Sequence, residues 1–275
     1  MRIAIQGEPG SFSHEATLKI APQATIHPCS VSADVFAAVV EGRVDAAVIP
    51  IENSLAGPVA EHYDLLLTHD VAIESESLLR IRHNLIALPG VPLEKIEQVY
   101  SHPVALAQCR GFIDAHRGMA AVPYYDTAGS VKRLAEARDA KAAGIASAQA
   151  ARHYGGEILA AGIEDNPENY TRFFLIRKRD RVQADKRPDK VSLAFAVENR
   201  PGTLVAALEV FASQGTNLTR IESRPVPGKP WEYVFYADYQ LSSPDAADAS
   251  FKLLVEHCSM VKELGRYRAA RQAAK

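Results

Sequence analysis

Three adjacent residues of different chemistry, Thr171-Arg172-Phe173, stand at the start of an apolar segment. They offer a hydroxyl donor, a fixed cation and an aromatic wall. Such groups suit an anionic, ring-shaped ligand that must lose a hydroxyl group. The threonine can assist the leaving group, and a guanidinium binds a carboxylate through two parallel hydrogen bonds. Alone, the triplet also fits an ordinary strand with an exposed arginine.

Polar residues also follow other predicted strands. The segment Glu52-Asn53-Ser54 comes directly after the apolar run 46–51, and Ser101-His102 precedes a predicted helix that carries Gln108. The ends of parallel strands are where α/β proteins place ligand groups, and helix N-terminal amides attract anions. We therefore take Asn53, Ser54, Ser101 and Gln108 as candidate positioning donors, and Glu52 and His102 as candidate organising residues. Helix capping is the alternative explanation of each cluster.

Composition limits the possible functions. The 275 residues suffice for two domains, and the apolar fraction of 47% with a charged fraction of 23% is typical of a soluble globular protein. A net charge of −2 gives no reason to expect a nucleic-acid partner, and no apolar run predicts a membrane span. Three widely spaced cysteines and the absence of a signal-peptide pattern favour a cytoplasmic location. No histidine spacing indicates a metal site.

Predicted strands and helices alternate over the first ~178 residues, which favours a parallel α/β sheet. The strands are 2–6, 46–51, 78–88, 98–100, 120–123, 143–146 and 171–177, and the helices are 13–20, 33–41, 103–115, 130–138 and 148–154. Ten of the fourteen residues from 177 to 190 are charged, which predicts a solvated linker. The order βαββαβ follows from Val191, as in ferredoxin-like modules, with strands 191–197, 217–224, 231–239 and 260–267 and helices 201–213 and 244–257.

Two motifs of this second module could bind a free amino acid. The helix that opens near Gly202-Thr203-Leu204 presents amides for a carboxylate, and Glu222 at the end of a strand could hold an ammonium group. A plain loop and a plain strand end are the alternative explanation.

Taken in order, four motifs of the chain resemble prephenate dehydratase: GxxGSFSHEA, PIENS, SHPxALxQC and NYTRF. The later motifs ENRPGTL and IESRP resemble the phenylalanine-binding kind of ACT regulatory domain. The resemblance covers essentially the whole chain. It implies an α/β two-lobed catalytic domain, periplasmic-binding-protein-like, over residues 1–180, followed by a C-terminal α+β ferredoxin-like ACT domain over 190–275. Lobe one would comprise about 1–76 and 160–178, and lobe two about 77–159. No chorismate mutase segment precedes Met1, which resembles the monofunctional form.

The resemblance also implies an activity. A prephenate dehydratase is a lyase that releases carbon dioxide and water from prephenate and yields phenylpyruvate, without cofactor or metal. Thr171 would assist departure of the hydroxyl, Arg172 would bind the pyruvyl carboxylate, and Phe173 would exclude water. Deletion of the residues after Asp189 would leave activity but remove regulation.

Regulation is implied as well, with L-phenylalanine bound at an interface between two ACT domains of a homodimer or homotetramer. Thr203 stands where related sequences often carry alanine, which could alter affinity. The candidate effector residues are Gly202, Thr203, Leu204, Asn217, Leu218, Glu222, Ser223 and Arg224.

Two other functions remain open at this stage. Arogenate dehydratase performs the same chemistry on the transaminated substrate, and the motifs separate the two poorly. A non-catalytic amino-acid-binding sensor is the second, although the intact Thr171-Arg172-Phe173 triplet speaks against a dead enzyme.

Overall fold

The computed structural model describes residues 1–226, 228–241 and 243–271. The chain forms two compact units, and it passes between them more than once. The first unit comprises Met1–His62 and Ser77–Phe173, and the second comprises Tyr63–Glu76 and Phe174–Lys275.

The elements alternate between strand and helix over most of the chain. The strands are β1 Arg2–Gln6, β2 Thr25–Cys29, β3 Ala46–Asn53, β4 Gly57–Pro58, β5 Val71–Arg80, β6 Asn84–Ala87, β7 Gln98–Ser101, β8 Ala120–Pro123, β9 Ala142–Ala146, β10 Glu157–Ala161, β11 Tyr170–Lys178, β12 Lys190–Ala196, β13 Asn217–Pro225, β14 Tyr233–Gln240 and β15 Met260–Tyr267. The α-helices are α1 Phe12–Ile20, α2 Ser32–Val40, α3 Ala60–Thr68, α4 Pro103–Gln108, α5 Arg110–Ala115, α6 Thr127–Ala137, α7 Ala148–Tyr154, α8 Thr203–Ser213 and α9 Pro244–His257.

The first sheet has the strand order β2-β1-β3-β11-β5, with β4 beside β3. Strand β1 runs parallel to both β2 and β3. Strand β3 lies near the centre, and its apolar residues are buried without alternation. This is the pattern of a strand covered on both faces. The polar C-terminal end of β3 lies where the strand leaves the sheet.

The second sheet has the order β10-β6-β9-β7-β8. Strand β7 is parallel to β8 and β9, whereas β6 is antiparallel to β9 and β10. The sheet is therefore mixed, where the strand–helix alternation had predicted a parallel one. Buried apolar side chains on both faces hold helices α4, α5, α6 and α7 against it.

Several element predictions differ from the structure. The predicted strand 78–88 is two strands, because the polar residues 82–83 separate β5 from β6. The predicted helix 103–115 breaks at Cys109, which leaves the helical conformation with φ −117° and ψ 21°. Helix α3 and strands β2 and β10 were not predicted at all. The edge strand β2 contains Pro28, and β10 has a bulge, so neither shows a clean strand pattern.

The C-terminal part of the second unit is an antiparallel four-stranded sheet of order β13-β14-β12-β15 with α8 and α9 packed against it. This is the ferredoxin-like arrangement that the order βαββαβ predicts. The buried core is formed by aliphatic and aromatic residues of both helices and the sheet, with Phe211 packed against Tyr239.

The charged segment 177–190 is less solvated than predicted. Arg177 forms an ion pair with Glu74 at 2.7 Å, and Lys190 bonds both carboxylate oxygens of Glu76 at 3.1 Å. The two carboxylates lie on β5, at positions inside its strand pattern. Both ends of the predicted linker are thus fixed within the second unit.

The fold class is therefore a two-lobed α/β catalytic domain followed by an α+β ferredoxin-like ACT domain. The domain and lobe boundaries given above remain predictions. None of the helices in the described ranges is long and apolar enough to cross a membrane.

Candidate active site

A cavity of about 850 Å³ opens in the first unit. Residues from both sheets line it. The side chains of Asn53, Gln108, Thr171 and Phe173 reach it, as do the N-terminal turns of helices α1, α4 and α6 at Ser11–Ser13, Val104 and Asp126–Thr127. Helix N-terminal amides carry partial positive charge, so this wall suits an anionic ligand.

Thr171 is the hydroxyl that the sequence singles out, and one neighbour fixes its hydrogen-bonding direction. Asn53 Oδ1 accepts hydrogen bonds from the backbone amides of Leu55 at 3.0 Å and Ala56 at 2.8 Å. Its Nδ2 must therefore be the end that lies 2.9 Å from Thr171 Oγ1, where it donates. Because Oγ1 accepts from Asn53, the Thr171 hydroxyl hydrogen is free to donate into the cavity.

The hydrogen bonds beyond Asn53 have directions that follow from the same orientation of its side chain. Asn53 Nδ2 also donates to Asn169 Oδ1 at 2.7 Å, and Asn169 Nδ2 donates to Gln108 Oε1 at 2.9 Å. Gln108 Oε1 lies 2.9 Å from His83 Nε2 as well. Thr171, Asn53 and Gln108 are thus brought together through Asn169, and His83 bonds Gln108 at the end of this series. The sequence analysis selected neither Asn169 nor His83 as a candidate.

Arg172 occupies a different place from its predicted one. Thr171 and Phe173 line the cavity, but Arg172 does not, and its side chain is 8% exposed. Neighbouring residues of a strand face opposite sides of the sheet, so the Arg172 side chain leaves β11 on the face opposite to Thr171 and Phe173. Its role as the carboxylate partner remains a prediction that this placement does not support.

Four other candidates serve the loops around the cavity. Ser54 Oγ accepts from Tyr170 N at 3.0 Å and donates to Glu168 O at 3.1 Å, while Ser101 Oγ donates to Ile145 O at 2.6 Å. Neither serine lines the cavity, and neither does Glu52, which pairs with Pro58 across β3 and β4. His102 does line it, as the N-cap of α4 whose Nδ1 accepts from Val104 N at 3.3 Å.

Hydrogen bonds of the Glu8 carboxylate, which the sequence analysis did not select, connect two walls of the cavity. Glu8, in the loop after β1, accepts hydrogen bonds from Tyr125 at 2.9 Å and from Lys132 of α6 at 3.2 Å. Beside them, Asp126 caps α6 by accepting from Gly129 N at 2.7 Å, and burial raises the pKa of its carboxyl group. The signal was present in the sequence, because Asp126 stands between a strand and a helix, β8 and α6, as His102 does between β7 and α4.

Close approach explains one glycine of this loop. Gly7 has φ +91°, and a Cβ there would lie 2.6 Å from Asp126 Oδ2. A side chain at this position would collide with the carboxylate and strain the backbone.

The predicted effector residues divide between two faces of the ACT sheet. The bulge between Leu218 and Arg220 sets the alternation of β13, so that Leu218 and Ser223 face the helices while Glu222 and Arg224 face away. Arg224 binds Asp64 of α3 through two hydrogen bonds of 2.8 and 2.6 Å. Within one chain, Glu222 and the Gly202–Leu204 turn therefore do not face a common ligand, and the predicted effector site between two ACT domains stays a prediction.

The remaining effector candidates have local roles. Gly202 precedes α8 in the left-handed conformation, and Thr203 Oγ1 donates to Glu198 O at 2.7 Å. Leu204 packs against the core of the ACT domain, and Asn217 Nδ2 lies 3.4 Å from Gln240 Oε1.

In the part of the chain that the structure describes, no three histidine, cysteine, aspartate or glutamate side chains cluster as metal ligands would.

Comparison with known proteins assigns the chain. A family model described as prephenate dehydratase matches residues 3–181, and an ACT domain model matches residues 191–238. The chain belongs to the prephenate dehydratase family. It is therefore a lyase of the dehydratase class with a C-terminal ACT domain.

Similar proteins carry several different functional names. The chain is 39% identical over 277 residues to arogenate dehydratase/prephenate dehydratase 2, chloroplastic, of Arabidopsis thaliana, with 97% of this chain and 72% of that protein covered. The solved prephenate dehydratase of Arthrobacter aurescens in complex with L-Phe is 32% identical with a TM-score of 0.89, covering 98% of this chain and 90% of that one. A structure described as GqqA, a novel type of quorum quenching acylase, is 35% identical with a TM-score of 0.88, covering 98% of both chains.

Proposed function

We propose that the protein is a prephenate dehydratase that forms phenylpyruvate by loss of carbon dioxide and water. The observation that carries this proposal is the Thr171 hydroxyl, which accepts from Asn53 and is left to donate into a cavity bounded by helix N-termini. A dianionic ring with one leaving hydroxyl fits both features.

The reaction needs little more from the protein. The electrons of the breaking carbon–carboxylate bond move into the ring as carbon dioxide leaves, and the carbon–oxygen bond to the hydroxyl breaks. The departing hydroxide takes up one proton supplied by the solvent and leaves as water, so that prephenate and one proton give phenylpyruvate, carbon dioxide and water. Thr171 hydrogen-bonds that oxygen and stabilises its developing charge, which is the preorganised donation that accelerates such steps. Phe173, which is 1% exposed, forms part of the wall that excludes water.

Carboxylate binding then falls to other groups than Arg172. The amides at the starts of α1, α4 and α6 and the ammonium of Lys132 are the positive groups on the cavity wall. A weak hold on the ring carboxylate favours the reaction, since a strong ion pair would stabilise the ground state.

We favour prephenate over arogenate because the two carboxylates at the cavity are poorly suited to an ammonium group. Glu8 is already paired with Lys132 and Tyr125. Asp126 caps α6 by accepting a hydrogen bond from Gly129 N, so one of its carboxylate oxygens is already engaged. Arogenate remains the alternative, because relatives such as the Arabidopsis protein carry both names.

Feedback control by L-phenylalanine is the second part of the proposal. The ACT domain and the L-Phe complex of the Arthrobacter relative support it. Two copies of the ACT domain would supply the two faces that one chain keeps apart, which requires a homodimer or homotetramer. We also propose a cytoplasmic location. Light scattering on the purified protein and cell fractionation test these two points.

The deciding experiment follows phenylpyruvate formation from prephenate, and separately phenylalanine formation from arogenate, with and without L-phenylalanine. Turnover of prephenate that L-phenylalanine reduces would support the proposal. A much higher kcat/KM for arogenate would show that arogenate is the substrate. Turnover that L-phenylalanine leaves unchanged would refute the proposed feedback control. Absence of both reactions would favour the binding-sensor alternative.

A second candidate, amide hydrolysis, is favoured only by the likeness to GqqA. Such hydrolysis needs a nucleophile activated by a base. Among the described residues, no hydroxyl or thiol at the cavity bonds an imidazole nitrogen, and burial raises the pKa of the Cys29 thiol there. The dehydratase function therefore has the better support, and release of free carboxylic acid from an N-acylated amine measures the alternative.

A further inference from the structure

His83 carries a buried nitrogen whose state follows from the hydrogen bonds around it. Gln108 Oε1 accepts from Asn169 Nδ2, and this orientation is inherited from Asn53, whose oxygen is fixed by two backbone amides. The amide oxygen of Gln108 faces His83 Nε2 at 2.9 Å, so Nε2 must be the protonated nitrogen. In the neutral ring, Nδ1 then holds a lone pair and can only accept.

Among the residues that the structure describes, none donates a hydrogen bond to this acceptor. His83 is 2% exposed, and its Nδ1 makes no hydrogen bond to any residue that the structure describes. Its backbone amide donates to Glu164 at 2.9 Å, and Phe12 packs edge-on against the ring with centroids 5.4 Å apart. Burial lowers the pKa of His83 and so favours the neutral ring. A buried acceptor without a donor is costly, and it is conspicuous in a residue that lines the cavity.

We propose that His83 Nδ1 accepts a hydrogen bond from the ring hydroxyl of the substrate. This rests on the proposed dehydratase function. The carboxylates and the ketone of prephenate are acceptors only, so its ring hydroxyl is the one group that can satisfy Nδ1. The hydroxyl oxygen receives a hydrogen bond from Thr171 and donates its own hydrogen to His83. The two contacts fix the direction of the carbon–oxygen bond that must break.

Two substitutions separate this contact from a structural role. His83→Gln places an amide nitrogen near the position of Nε2, where it can still donate to Gln108, but it removes the acceptor at Nδ1. His83→Asn places a carbonyl oxygen near Nδ1 and loses the bond to Gln108. We expect His83→Gln to lower kcat/KM for prephenate by about 10- to 100-fold, and His83→Asn to retain clearly more activity. The opposite ranking would overturn the proposal, because it would show that His83 acts only by holding Gln108.

Phenylpyruvate supplies an independent readout because it lacks the ring hydroxyl. Its inhibition constant should be the same within about twofold in the wild type and in His83→Gln. Equal weakening of phenylpyruvate and prephenate binding would mean that His83 is merely part of the wall, and the proposal would fail.

The nitrogen itself can be observed without turnover. In ¹⁵N spectra of histidine-labelled protein, His83 should show a protonated Nε2 and an unprotonated Nδ1. A protonated Nδ1 in the free enzyme would contradict the assignment. Wild-type activity is measured first: a wild type inactive on both substrates refutes the proposed function, whereas an active wild type matched by His83→Gln refutes only the role of His83.

Discussion

At the scale of single residues, the site depends on the direction of its hydrogen bonds rather than on their number. Two backbone amides hold the oxygen of Asn53, and every later donor and acceptor follows from that choice. The Thr171 hydroxyl is useful because its oxygen accepts from Asn53, which leaves its hydrogen to be donated elsewhere. An oxygen in place of the Asn53 nitrogen would accept the Thr171 hydrogen and turn it away from the cavity.

Asn53→Asp tests this directionality with little change in shape. We expect kcat to fall about 10²-fold or more, the scale on which enzymes lose one preorganised donor. Thr171→Val should have an effect of similar size, and the double variant should be little worse than either single one, since both changes remove the same donated hydrogen. Steady-state kinetics on the four proteins measures this, with Thr171→Ser as the control that keeps the hydroxyl. Independent, multiplying losses would show that Asn53 acts apart from Thr171.

The sequence predicted residue types better than residue directions. Thr171, Phe173, Asn53 and Gln108 lie at the cavity as expected, because strand ends and helix starts position them. Arg172 does not, because the alternation of a strand places every second residue on the opposite face. His83 was overlooked because its importance comes from a chain of amides contributed by three separate segments.

At the scale of elements, the loop after β1 and helix α6 are joined across the cavity by Glu8, Tyr125 and Lys132. The side chains of Glu8 and Lys132 are 22% and 37% exposed, so their ion pair contributes at most about 1 kcal/mol to folding. The pair instead connects one wall of the cavity to the other. Its effect should therefore appear in substrate binding.

Lys132→Met should raise KM for the substrate several-fold while the melting temperature changes by no more than about 2–4 °C, the shift that 1 kcal/mol produces. The matched control is Lys141→Met, which breaks the exposed pair of Lys141 with Glu97 at 2.8 Å, just before strands β9 and β7. That variant should leave both quantities unchanged. Equal KM values for the two variants would show that the Glu8–Lys132 pair has no part in binding.

Helix α3 shows why some elements escape a sequence-based prediction. Its apolar residues Tyr63 and Leu66 are buried, but their partners lie far away in the chain, and Tyr63 packs on Tyr236 with ring centroids 5.0 Å apart. The last carbonyls of α3 are bonded by Lys262 Nζ of β15, at 3.0 Å to Leu66 and 2.6 Å to Leu67. Local propensity carries none of this information.

At the scale of the whole molecule, residues 63–76 belong to the same compact unit as the ACT domain. Arg224 donates hydrogen bonds to Asp64, and the guanidinium of Arg220 lies 4.6 Å from the centre of the Tyr63 ring. The backbones also approach closely, since a Cβ on Gly265 would lie 2.3 Å from the carbonyl oxygen of Ile73. The ACT domain therefore covers α3 and the start of β5 closely.

Deletion of the residues after Asp189 should consequently lower the stability of the remaining chain, in addition to removing the proposed regulation. We expect the remaining chain to melt at least about 5 °C lower than the full protein and to aggregate, because buried side chains of α3 and β5 become exposed. Calorimetry and light scattering on the two proteins measure this. A truncated protein that is monodisperse and equally stable would show that α3 needs no cover.

A milder variant keeps the question open to measurement if the truncated chain cannot be purified. Lys262→Met removes the bonds to the end of α3 and should cost about 1 kcal/mol. Lys252→Met, on the exposed side of α9, is its control and should cost nothing measurable. Identical stability of these two variants would contradict a capping role for Lys262.

The packing of residues 63–76 with the ACT domain also has a consequence for how such domains can be exchanged between genes. A regulatory module that arrives by gene fusion is usually pictured as a cassette, with its boundary in a linker. Here the ACT domain is joined to the rest of the chain near residue 189, whereas the segment that packs with it begins near residue 63. These two boundaries are far apart in the gene. An exchange of ACT domains between two relatives would leave the donor's Arg224 and Lys262 facing a foreign α3. Recombination is therefore expected to succeed when it moves residues 63–76 together with the C-terminal module, and to fail when it cuts at the linker alone.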